Sequence, residues 1–258
     1  MGPASDSGLS NSGLAANTPS PSGPTYDKGM ARTRTLLVNI RKLDRQGSEG
    51  VVVVRLMMAC NDLTTANQAL GACLENKGGR VDYIRRGGAM YFVRLQIAHL
   101  HEALKIVSQI RRYPRLLSLI NDCPGETSDH FAQLLSFADG GAHQGDFRKY
   151  VELVRHKVTF HYDERKIQAA LSDRARRRGD AAHFMTLSDD VRRVRFQVAD
   201  DVVNTLVCHH VWGIAPGAEA QIEADRIADL GFRIYKIFLE FAVAFIMRYV
   251  EKNAVFTT

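Results

Sequence analysis

Apolar residues recurring at steps of three and four, over stretches far longer than a strand, constrain this chain most. Val52, Leu56, Met57, Cys60, Leu63, Ala66, Leu70 and Cys73 fall on one face of a helix spanning 49–76. A strand sends alternate side chains to opposite faces, so this spacing would scatter the same residues across both sides of a sheet. Gly78-Gly79 comes next, and glycine commonly sits just past a helix C-terminus. A second pattern covers 80–112 through Ile84, Tyr91, Leu95, Ala98, Leu100, Leu104, Val107 and Ile110. Gly87-Gly88 weakens its first half, and Pro114 blocks its continuation past Tyr113.

The pattern repeats four more times. A third helix is expected over 128–138, with Asp129 in its first turn and Gly140-Gly141 after its end. A fourth starts near Asp146 and carries Phe147, Tyr150, Val151, Val154 and Val158 on one stripe. It falters around 161–163, resumes at Ile167, Ala170 and Leu171, and stops within 174–179. A fifth comes after Ser188-Asp189-Asp190 and runs through Val191, Val194, Val198, Val202 and Leu206. A sixth opens near Pro216 and continues through Ile222, Ile227, Leu230, Ile234, Ile237, Phe241 and Phe245. Hairpin signals are essentially missing. The expected fold is therefore all-α, a bundle of five to six helices.

Composition sets the domain organisation. Residues 1–34 are dominated by Ser, Gly, Pro, Asn and Ala, too poor in large apolar side chains to offset the entropy of ordering, so disorder is expected there. Residues 35–258 are expected to form a single helical domain; the run Thr35–Ile40 leans towards β structure or leads into the first helix. With 45% hydrophobic and 24% charged residues the chain can build a sizeable core. The four cysteines, Cys60, Cys73, Cys123 and Cys208, lack both a disulfide framework and the paired spacing of a zinc site. With no secretory signal visible, a reducing, cytoplasmic setting is expected. The apolar segment 230–250 is broken by Arg233, Lys236, Glu240 and Arg248, which argues for a core helix and no membrane partner.

Chemistry-bearing residues concentrate in Arg155-His156-Lys157-Val158-Thr159-Phe160-His161-Tyr162-Asp163. Arginine holds phosphate well and histidine moves protons near neutral pH. Arg155 and His161 are six residues apart, about 9 Å of rise and about 120° of rotation on an ideal helix. They do not share a face, so they converge only if the helix distorts or two protomers pair. His161 continues the apolar stripe, which turns it towards the core or a cleft mouth.

This run resembles the HEPN superfamily, all-α domains of which many are metal-independent RNases. Their motif is Arg, four to six residues, then His, with a polar residue directly after the Arg. Here these are Arg155, His156 and His161, and the likeness covers this motif and the surrounding helical pattern. The resemblance implies a homodimer with RNA or a nucleotide as partner and no cofactor. His161 would transfer a proton at a ribose 2′-hydroxyl, Arg155 would stabilise the phosphate and His156 would orient or assist. Arg94 before His99 and His101, and Arg176–Arg178 before His183, share the spacing; only Arg155 adds the polar follower within a helical setting. The alternative is a structural network in a non-enzymatic interaction protein, with Tyr162 or Asp163 fixing a histidine. In either case Tyr162 and Asp163 support the others.

Two basic clusters complete the candidates. Arg174, Arg176, Arg177 and Arg178 form one, and Arg192, Arg193 and Arg195 the other. Together they offer a phosphate-binding face, or a solvated surface. No aromatic residue is interleaved to stack bases. The net charge of +6 is compatible with a polyanionic partner. The adjacent pair His209-His210 points in directions about 100° apart, which disfavours a shared metal.

Overall fold

Asn39 caps the first helix, α1 (Ile40–Asp44): its side-chain oxygen accepts hydrogen bonds from the backbone N–H groups of Arg41 and Lys42. The computed structural model describes residues 35–75, 82–138, 140–155, 163–178, 185–187, 189, 194–215 and 220–255. The proposed tail, residues 1–34, lies outside them. Leu37–Thr258 packs as one unit.

The two long sequence patterns become α2 (Gly47–Glu75) and α3 (Asp82–Ile110). They lie antiparallel, as their cross-links show. Arg55 donates to the Gln109 side chain at 2.5 Å, and Gln96 donates to the Asn67 side chain at 3.0 Å. Moving up one helix matches moving down the other. Val53, Leu56 and Leu63 from α2 and Leu104, Val107 and Ile110 from α3 close the seam.

Pro114 does more than end α3. It opens a further helix, α4 (Pro114–Asn121), absent from the sequence expectation. Proline lacks the N–H that the first helical turn leaves unpaired in any case, and its fixed φ suits that position. Leu116, Leu119 and Ile120 of α4 are buried. Next comes α5 (Thr127–Phe137), ended by Gly140-Gly141 as expected. A Cβ at Gly141 would clash with the carbonyl oxygens of Leu135 and Ser136, so the chain can turn this tightly only with glycine.

The fourth pattern is realised as α6 (Gln144–Phe147), which widens into a π-helical turn over Arg148–Glu152. Phe147, Tyr150, Val151 and Val154 are buried along it, as the stripe requires. Val158 lies outside the described residues. The resumption is α7 (Glu164–Arg178), which ends within the expected stop at 174–179.

The fifth helix departs from expectation at its start. Arg195–Phe196 is a short strand, β2, pairing antiparallel with β1 (Met185–Thr186). The helix, α8 (Gln197–Thr205), begins only at Gln197 and widens into a second π turn, Leu206–Val211. The last helix, α9 (Ala220–Lys252), carries Ile234, Phe238, Phe241 and Phe245 fully into the core. Phe131 of α5 stacks on Phe241 with ring centroids 5.4 Å apart. Each buried phenylalanine contributes roughly 1.5–3 kcal/mol.

The fold is all-α: nine helices among the described residues, with one two-residue ladder. No described helix is long and apolar enough to cross a membrane. All four cysteines are free thiols. Burial pushes the Cys60 thiol up to about 11 and raises that of Cys208, which keeps both protonated at neutral pH.

Candidate site around Arg155

Arg155 stands just after the π turn of Arg148–Glu152. A π turn carries one more residue per hydrogen-bonded loop than an α turn, and so re-aims the side chains beyond it. The turn is braced from α8's extension: the Trp212 indole Nε1 donates to the Tyr150 carbonyl at 3.1 Å, with Trp212 itself buried. On its other side, Arg226 of α9 donates to the Tyr150 hydroxyl at 2.6 Å. Tyr150 is thereby held at both its backbone and its side chain.

The Arg155 guanidinium meets α3. Its Nη2 donates to Glu102 Oε1 at 3.0 Å. The same carboxylate oxygen lies 3.4 Å from Lys105 Nζ and 3.3 Å from His101 Nδ1. Burial alone would raise the Glu102 carboxyl, but Lys105, the His101 hydrogen bond and Arg155 together hold it below the usual range. His101 is buried and stacks in parallel on Phe147, with centroids 6.1 Å apart. Burial is the main cause that lowers its pKa; Lys105 and Arg155 add to it, against the opposing pull of Glu102.

A cleft of about 350 Å³ opens beside this cluster. Its polar lining includes His101, Lys105, Arg112, Gln144 and Glu152, and Phe137 and Phe147 give it apolar walls. Glu152 lies one turn before Arg155. A cleft of this size with a few convergent polar groups suits a small ligand or one unit of a polymer.

The other expected residues divide. His156, His161 and Tyr162 lie outside the described residues. Asp163 is exposed, and its Oδ1 accepts from the backbone N–H of Lys166 at 3.2 Å, so it caps the start of α7. In the basic clusters, Arg174 pairs with Asp201 at 2.5 Å, and Arg177 pairs with Asp173 at 2.5 Å. Arg176 lies 3.7 Å from Asp173. Arg195 grips Asp200 through two bonds of 2.7 Å. Three aspartates therefore offset these arginines. Arg178 ends α7, and Arg192 and Arg193 lie outside the described residues.

His209 and His210 do not converge: His209 Nδ1 lies 2.6 Å from the Ile214 carbonyl and His210 Nε2 lies 3.4 Å from Asp173. Among the described residues no group of three His, Cys, Asp or Glu side chains is placed to hold a metal ion.

Sequence reasoning passed over Glu102, and it met His101 only as a histidine spaced from Arg94. Glu102 gave no signal, because a lone glutamate on a helix is unremarkable until its partner is known. His101 gave one: it lies four residues after Ile97 and three before Leu104, on the buried stripe of α3.

No protein-family model, curated protein or solved structure matches this chain.

Proposed function

We propose that this chain is a HEPN-like helical domain that recognises the phosphates of RNA or a nucleotide beside Arg155 and acts as a homodimer. The observation that carries the reading is the position of Arg155. The motif arginine is oriented by Glu102 next to a cleft that also presents Lys105 and Arg112. Arg112 is exposed and has no carboxylate partner among the described residues. In this reading His161 moves the proton of the ribose 2′-hydroxyl, Arg155 steadies the phosphate charge and His156 assists.

Self-association has its own support. Ile40, Val51, Val54 and Met58 form an exposed apolar groove of about 420 Å³ along α1 and α2. Asp44 and Arg55 line the same groove. Opposite charges on one patch suit pairing with a second copy about a two-fold axis. Val54→Asp should then shift the sedimentation profile towards monomer.

The deciding experiment compares wild type and His161→Ala on single-stranded RNA. Loss of cleavage at unchanged melting temperature supports the proposal. Cleavage equal to wild type removes His161 from the chemistry. A wild type that neither binds nor cleaves RNA overturns the whole reading.

The Arg155–Glu102 pair also favours a second reading, in which the motif is a structural network of a non-enzymatic interaction protein. In that case Arg155→Ala lowers stability and changes no activity.

A further inference from the structure

A second polar pocket lies away from the Arg155 cluster, between the start of α2, the α4 helix and the end of α9. It holds about 290 Å³ and is lined by Glu49, Arg115, Ser118, Tyr249, Lys252 and Asn253 over a floor of Leu116 and Leu119. Tyr249 is 1% exposed, and its hydroxyl has no hydrogen-bond partner among the described residues. A buried hydroxyl without a partner is costly, and natural structures keep few of them. The tyrosine backbone is well held, since its carbonyl accepts from Asn253 Nδ2 at 2.9 Å. Burial confines the ring, and the hydroxyl alone is left over.

The charges around it are separated. The Glu49 side chain is 15% exposed, while its partner Arg115 is 73% exposed and 3.5 Å away. The carboxylate sits inside and the guanidinium outside. Lys252, at the rim, is balanced by Asp122 at 2.6 Å. With Asp122, which pairs with Lys252 outside the lining, the charges cancel but stay polarised, with an inner acceptor and outer donors. A bare anion would face Glu49, and a bare cation would face Arg115 and Lys252. A molecule carrying both charges meets neither conflict. Burial, reinforced by the Glu49 charge, pushes the Tyr249 hydroxyl up to about 12, with Arg115 opposing, so it stays a neutral donor at pH 7.

We infer that this pocket binds a small zwitterion of the free amino-acid class. Its ammonium is taken by Glu49. Its carboxylate is taken by Arg115 and the Tyr249 hydroxyl, with Ser118 at hand. The pocket, at about 290 Å³, has room for a small amino acid, and it shares no lining residue with the cleft proposed above for phosphate.

The test uses the full chain and titrates glycine, L-serine, methylammonium and acetate at equal ionic strength by calorimetry and thermal melting. Glycine or L-serine should bind saturably and raise the melting temperature, and neither single-charge probe should. Tyr249→Phe and Glu49→Gln should each weaken amino-acid binding about tenfold or more, the scale of one lost hydrogen bond to a charged group. Without amino acid, Tyr249→Phe should melt at or above the wild-type temperature, because it deletes an unpartnered hydroxyl. The inference is overturned if no amino acid binds, if methylammonium or acetate binds equally well, or if Tyr249→Phe binds like wild type. RNA cleavage is read separately, so either proposal can fail alone.

Discussion

Glu102 and Arg155, 53 residues apart in the chain, meet at 3.0 Å and share that carboxylate oxygen with Lys105 and His101. Three nitrogen groups converge on one acceptor. The carboxylate therefore sets the direction of the arginine more than it adds stability, since a half-exposed ion pair is worth only about 1 kcal/mol or less.

The sign of the pH effect is fixed. The Glu102 carboxyl is held below its ordinary value, so its contribution is complete above the unfolded value, about 4.3, and is lost as pH falls through the folded one. Urea unfolding of wild type and Glu102→Gln should diverge at pH 6 and converge towards pH 3. Stability curves that stay parallel over that range would remove Glu102 from the network.

His101 behaves similarly for a different reason. Burial, its main cause, lowers its pKa, so the unfolded chain binds its proton more readily. Stability is full above about 6.5 and declines as pH falls below that value. The His101 ring resonances should titrate below 6.5 by NMR, and His101→Gln should flatten the decline between pH 7 and 5.

The brace on Tyr150 should matter beyond its own bond. Trp212→Phe keeps an aromatic ring but removes the donor to the Tyr150 carbonyl. The cost should be about 1–3 kcal/mol in chemical denaturation. The re-aimed Arg155 should also weaken RNA binding, whereas a purely packing role for Trp212 would leave binding unchanged.

The aspartates opposite the basic clusters should mask them. Asp200→Asn with Asp201→Asn releases Arg195 and Arg174. RNA affinity at low salt should rise, and the dependence of log K on log salt should steepen by about one for each arginine that gains a phosphate. An unaltered salt slope would place these arginines outside any RNA path.

Long elements were legible because periodicity accumulates with length. Both α2 and α3 emerge within two residues of their expected starts. Short elements were not. Pro114 reads equally as a stop or a start until α4 is seen to bury Leu116, Leu119 and Ile120. The late start of α8 reflects a tertiary choice, in which Arg195 and Phe196 pair with β1 despite a helical pattern. At the candidate site, Arg155 stood out in the sequence by its spacing to His161. Its partner Glu102 did not, because contacts between distant helices leave no local spacing to read.

One closure near α1 bears on how the chain acquires its fold. Asn39 donates its backbone N–H to the Val255 carbonyl at 2.7 Å, and Lys42 donates to the Ala254 carbonyl at 2.9 Å. The first helix is thus latched by residues over two hundred positions later. The α2–α3 hairpin can assemble from neighbouring segments as synthesis proceeds. The latch must wait for the end of α9, and such long loop closures slow folding. Until α9 arrives, the apolar faces of the earlier helices stay uncovered, and such exposed surface is prone to aggregate.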